Sequence, residues 1–423
     1  MNKGADSTVK IGLTVLAVLG IGIFAFNHSF YDDALGNPFF AIELGSIAIL
    51  LLRLRPQWSS VASIGVLTLV FSAIDFKVLH FHPYAMSWFS FLGLASFLVM
   101  LVRLVWEDSR RLLSYALATS FVFAASEYFA TSFLEMTTKV YPKTLDVYLM
   151  MFDASLAHFQ VSFALGRLYV AHAWLHNVTL IAYIGLAIPI MTVYAGQLAR
   201  YGKKALASLT AFVITGPIGL VFYNIFPAAG PRQLFGIHFP FSPIPYSILP
   251  NVILEAVKVP GPRNDMPSLH LTWTLLAWWY SRGLSRTERI VAFAFLSLTA
   301  FATLGTGEHW LVDLVVAFPF ALMIQAICAF QVPLKDIRRQ TAFLFGLSTT
   351  FVWLILLRYC TRLFWTSPLV PWSLIAGTIG LTCIRQRILS SATIASVDLG
   401  ARSTVAGREA GTSQELVEPA TTA

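Results

Sequence analysis

Apolar runs of membrane-crossing length recur along almost the whole of this chain, and that recurrence limits its possible folds more than any other feature. Charged residues make up only 12% of the sequence, about half the level of a soluble domain. The mean hydropathy is +0.71. These values exclude a soluble enzyme, a disordered regulator and a fibrous protein. Cys328, Cys360 and Cys383 are too few and too scattered for a disulfide framework or a zinc motif. The chain reads as all-α and polytopic.

Bounding each apolar run by its flanking charges and turn residues places helices near 10–26, 38–53, 60–75, 84–104, 112–134 and 173–195. Six more fall near 205–225, 268–282, 288–306, 309–331, 342–359 and 368–384. The first lacks a small-residue cleavage site after it and reads as a retained helix, not a signal peptide. About 12 transmembrane helices put both termini on one side, and the basic residues test that arrangement. Of 29 Lys and Arg residues, 20 fall on the side of the termini, among them Arg53, Arg200, Lys203, Lys204, Arg282, Arg286, Arg289, Lys335, Arg338 and Arg339. The positive-inside rule then makes that side cytoplasmic. The net charge of +8 is explained by topology and needs no nucleic-acid partner.

Two long outer connections stand out, about 135–172 and about 226–267, and loops of that length usually carry function. The chain divides into N-terminal transmembrane helices (1–134), a core carrying the chemistry (135–332), C-terminal transmembrane helices (333–388) and a disordered cytoplasmic tail (389–423). The tail is rich in Ser, Thr, Ala, Gly and Glu with no apolar period.

Two histidines are placed differently from the other seven. Gly261-Pro262-Arg263-Asn264-Asp265-Met266-Pro267-Ser268-Leu269-His270 opens one outer helix. Gly305-Thr306-Gly307-Glu308-His309-Trp310-Leu311-Val312-Asp313 opens another. Helix starts present unpaired N–H groups and the positive dipole end, which favour an anion. His309 and Asp313 are four apart and expected to share a helix face. A carboxylate on one imidazole nitrogen fixes the tautomer and stabilises the cation formed when the other nitrogen attacks. His270, at equivalent depth, can serve as proton donor. Nucleophile, orienting acid, general acid and anion-binding helix ends together make a phosphoryl-transfer constellation.

Pro267-Ser268-Leu269-His270 followed by His309-x3-Asp313 resembles the second and third motifs of the type 2 phosphatidic acid phosphatase superfamily, metal-independent membrane enzymes that act through a phosphohistidine. Leu269, where the phosphatases have Gly, is similar to the inositol phosphorylceramide synthase-like (inositolphosphotransferase) branch. So are Tyr223-Asn224-Ile225-Phe226-Pro227-Ala228-Ala229-Gly230-Pro231-Arg232 and the stretch from Asp146 through Asp153 to Leu156. The likeness covers about 140–331 and implies a six-helix phosphatidic acid phosphatase-like catalytic core. The Lys and Arg-Pro of the phosphatase first motif are missing, and Thr303 stands where the third motif usually has Arg. A metal-free site still needs fixed positive charge for the phosphoryl oxygens. Arg232 and Arg263 are therefore expected to bind phosphate, with Ser268 adding a hydroxyl.

His172 and His176, also four apart, lack a third metal ligand nearby. Glu127 lies within a span, where an ionisable group either serves function or bonds a neighbouring helix. The expected activity is lipid phosphotransfer or lipid phosphate hydrolysis at the outer leaflet, with no cofactor, as the metal-independent resemblance implies. The substrate is a lipid phosphate or phospholipid in the bilayer, the acceptor water or an alcohol such as a polyol. The rival is a non-catalytic lipid-binding or lipid-transport protein on the same scaffold, but no inverted repeat or pair of broken helices marks a transporter.

Overall fold

The computed structural model of the protein describes residues 38–76, 87–106, 110–156 and 160–414. The expected first helix, 10–26, and the Glu127 side chain lie outside the described residues. The protein is about 78% helical with almost no strand. Four N-terminal helices come first: α1 (Pro38–Arg53), α2 (Trp58–Ile74), α3 (Ser87–Trp106) and α4 (Arg110–Val140). The middle of the chain forms α5 (Asp146–Ser155), α6 (Val161–Ala171), α7 (Ala173–Ile184), α8 (Ala187–Tyr201), α9 (Leu206–Ile225) and the short α10 (Pro231–Phe235). Then follow α11 (Leu269–Tyr280), α12 (Arg286–Gly305), α13 (Leu311–Ile327), α14 (Ile337–Tyr359), α15 (Thr361–Phe364) and α16 (Leu369–Gln414). Among the described residues four segments are long and apolar enough to cross a membrane: Ser87–Leu104, Ala187–Ile225, Arg286–Gly305 and Ile337–Tyr359.

At the centre stands α13, apolar on all sides and buried along nearly its whole length. A helix with no polar face has to be surrounded, and α11, α14 and α16 pack around it. Arg339 secures its far end. Its buried guanidinium donates to the carbonyls of Ala326 and Ile327 in the last turn of the helix and of Val332 in the loop beyond it.

Contacts between loops sort them onto two ends of the bundle. At one end Arg53 meets Glu288 at 2.9 Å, the Arg200 guanidinium donates to the Gly283 carbonyl, and Gln331 Nε2 donates to the Lys204 carbonyl. At the other, β1 (Lys143–Thr144) pairs antiparallel with β2 (Val257–Lys258), and the Thr138 hydroxyl donates to the Gly261 carbonyl. There too Arg358 lies over the Tyr148 ring, and the Tyr246 and Trp365 rings stack.

Several expectations need correction. The connection 135–172 is mostly helical, since α4 extends to Val140 and α5 and α6 follow. The helix expected over 173–195 is two helices: Gly185 closes α7 through a bond to the Ile181 carbonyl, and Pro189 sits in the first turn of α8, where its missing N–H does no harm. The backbone of α16 stays helical to Gln414, past the start of the expected tail; no proline follows Pro371 within it to break the hydrogen-bond ladder. And α13 begins at Leu311, two residues after His309.

Candidate active site

The connection 226–267, folded over the starts of α11 and α13, builds a buried polar cluster. Its backbone is fixed by three carboxylates and the glycines beside them. Asp146, at the start of α5, accepts from the amides of Ala229 and Gly230 and from the Trp310 indole N–H. Gly230, at φ +86°, packs where any side chain would strike the Glu308 carbonyl. The Arg232 amide donates to the Gly307 carbonyl at 2.8 Å and ties the two loops together. Asp153, in the last turn of α5, accepts from the Leu311 amide at 2.9 Å. Asp313 reaches back to the Trp310 amide at 2.7 Å.

The first amides of α13 are thus held by the protein's own carboxylates, so this helix end does not offer the open anion site that the sequence suggests. At α11 the Ser268 hydroxyl accepts from the Leu271 amide as an N-cap. Ser268 is fully buried in that role, and its amide also bonds to the Asp313 carbonyl.

His309 is 1% exposed and lies in the turn before α13, with its carbonyl accepting from the Ser162 hydroxyl. Its Nδ1 is 2.7 Å from Asp265 Oδ1 and 3.7 Å from Asp313 Oδ2. The contact with Asp313 does not run along a helix face, because His309 precedes the helix. Spacing pointed to Asp313 and missed Asp265, which lies 44 residues upstream of His309. The only signal was its place in the motif before His270. Burial and the neighbouring Asp313 hold the Asp265 carboxyl well above the usual carboxylate range, and His309 offsets part of that. Burial likewise raises Asp153, to about 7, against the bonds from the α13 amides.

His270 is partly buried in an aromatic enclosure that the sequence did not reveal. The Tyr183 ring stacks on it at 4.1 Å, and Phe39 and Trp273 meet it edge-on at 6.2 Å. Phe39 brings the N-terminal helix α1 into the wall of the site.

The two arginines part company. Arg232 is 62% exposed at the mouth of the site, 3.7 Å from Glu308. Arg263 is fully buried, and its guanidinium donates to the carbonyls of Tyr141, Pro260, Gly261 and Val259. It clamps the loop, with Nε, Nη1 and Nη2 all drawn onto backbone carbonyls.

Among the described residues one group has metal-ligand spacing: Asp265, His309 and Asp313, with donor atoms within 4.8 Å of one another. His172 and His176 gather no third ligand there; His176 packs near the Tyr169 ring. No curated protein and no solved structure matches the chain. Residues 147–327, which run from the second residue of α5 through α13 and hold the cluster apart from Asp146, match the family model described as the PAP2 superfamily.

Proposed function

We propose that this protein is a membrane-embedded lipid phosphotransferase or lipid phosphate phosphatase that works through a phosphohistidine at the outer leaflet. The observation that carries the reading is the His309 ring. A buried imidazole with Nδ1 against a carboxylate leaves Nε2 as its nucleophilic nitrogen. Nε2 attacks phosphorus, the bond from phosphorus to the leaving oxygen breaks, and His270 supplies that oxygen with a proton. Water or an alcohol then attacks the phosphohistidine, gives its proton to His270, and the P–N bond breaks. Arg232 at the mouth holds the phosphoryl oxygens. Water as acceptor makes the protein a phosphatase; a polyol or lipid alcohol makes it a transferase, the outcome favoured by the branch resemblance. The superfamily match supports the lipid phosphate substrate. The outer-leaflet placement is supported by the cluster lying at the end of the bundle opposite the basic loops.

The test is turnover of labelled lipid phosphates by purified protein, with and without alcohols, before and after EDTA. Wild type is expected to turn over in EDTA, while His309→Ala and His270→Ala lose several orders of magnitude. Wild-type-like rates in either variant, or activity that returns only with added zinc or magnesium, contradict the proposal.

A further inference from the structure

Asp265 stands closer to His309 than the carboxylate that the motif spacing supplies. Both oxygens of Asp265 are buried, and no amide or hydroxyl among the described residues donates to either. Asp313 has a structural engagement, the Trp310 amide, which fixes its Oδ2 at the start of α13. Asp265 has none. A fully buried carboxylate without donors is strongly disfavoured, and among the described residues the cationic or N–H partner within reach of Asp265 is His309 Nδ1, at 2.7 Å.

We propose that Asp265 is the principal positioning residue of His309. It accepts the Nδ1–H, sets Nε2 as the attacking nitrogen and turns the ring toward the phosphate, while Asp313 completes a carboxyl pair behind it. This rests on His309 being the nucleophile. Asp265 and Asp313 are both fully buried and interact side chain to side chain. Two adjacent carboxylates in such a place do not both ionise, so the pair shares one proton and keeps one negative charge. That charge answers the imidazolium formed as Nε2 bonds to phosphorus. When the P–N bond breaks the ring is neutral again, and the Nδ1 proton has stayed in place throughout.

The position of Asp265 in the chain gives the arrangement a second consequence. It lies five residues before His270, on the segment that runs directly into α11 through Ser268, whose amide bonds to the Asp313 carbonyl. One short segment therefore carries the proton donor and orients the nucleophile, which fixes their separation.

The experiment compares Asp265→Asn, Asp313→Asn and the double variant with wild type and His309→Ala, reading kcat, KM, thermal unfolding and the rate of phosphoenzyme formation. Asparagine keeps the shape and removes the charge. Asp265→Asn is expected to lower kcat and phosphoenzyme formation together by about 100- to 10,000-fold, the scale of a lost orienting carboxylate. Its KM should stay within about threefold, and its loss should exceed that of Asp313→Asn. The double variant should fall by much less than the product of the single losses, because the two side chains act as one unit. A purely structural role would instead lower unfolding temperature with kcat kept in the folded fraction. A kcat for Asp265→Asn within threefold of wild type overturns the proposal. If that variant does not fold, proton NMR of wild type decides: a low-field imidazole N–H resonance absent from His309→Ala is expected, and its absence from wild type overturns the proposal. Turnover that survives in His309→Ala removes the nucleophile reading itself. Loss in His309→Ala with no loss in Asp265→Asn removes Asp265 alone.

Discussion

Replacing Arg263 separates a loop clamp from a phosphate ligand. The guanidinium is fully buried, with Nε donating to the Tyr141 carbonyl at 2.7 Å and Nη2 to the Val259 carbonyl at 2.9 Å. Arg263→Met keeps much of the side-chain volume and removes every donor. Tyr141, Pro260 and Gly261 are partly or fully exposed, and their carbonyls can turn to water. That of Val259 is buried and loses a charged donor, at roughly 1.5–3 kcal/mol. At roughly 2 °C per kcal/mol for a chain of this size, apparent unfolding in detergent at a fixed scan rate should fall by about 3–6 °C. The surviving folded protein should bind substrate with a KM near that of wild type. An unchanged unfolding temperature with a KM raised tenfold or more would refute the clamp and return Arg263 to the phosphate.

Arg232→Ala should do the reverse: its side chain is 62% exposed, so stability should hold while kcat/KM falls about 10- to 100-fold through weaker binding, measured by steady-state kinetics. Asp153 makes stability depend on pH. Its carboxyl is raised from 3.8 to about 7 in the folded protein, so between those values the folded state holds a proton that the unfolded chain has released. Its contribution to stability therefore falls as pH rises through that window. Asp153→Asn should flatten the decline in unfolding temperature between pH 5 and about pH 7; an unchanged slope would contradict this. For sidedness, with Cys360 replaced by Ser, Ile237→Cys should react with an impermeant thiol reagent on intact, correctly oriented membranes. Thr287→Cys should react only after the membrane is opened, and the opposite pattern would invert the topology.

What could be read from the sequence follows from which forces act locally. Apolar runs and flanking charge are local, and most helices around the site lie within a few residues of their expected bounds: α1, α9, α11 and α14 are examples. Breaks set by tertiary packing were not legible. Nothing in the periodicity of 173–195 announces that Gly185 ends a helix, and the polar residues of 146–155 hide α5 because its carboxylates point into the cluster. In the site, the pairing of His309 with Asp313 was legible as spacing. Its pairing with Asp265 joins residues 44 apart and depends on the loop fold that Asp146 and Arg263 hold. The charge of Arg263 was visible, but its burial on four carbonyls was not. A sequence shows which arginines are near a site, and the fold decides which still has donors to give.

The central claim is a covalent bond between His309 and the phosphoryl group, and rapid-quench trapping tests it most directly. Purified protein is mixed with a lipid phosphate labelled on phosphorus, denatured within its first turnover, and divided between acid and alkali. A phosphoramidate is lost in acid and survives alkali. The account predicts label on the wild-type protein that is alkali-stable and acid-labile, maps to the peptide containing His309, and is absent from His309→Ala. In His270→Ala it should form slowly or persist, because the donor and base for the two half-reactions is gone. Label on another residue, or full turnover by His309→Ala with no trapped intermediate, would contradict the account.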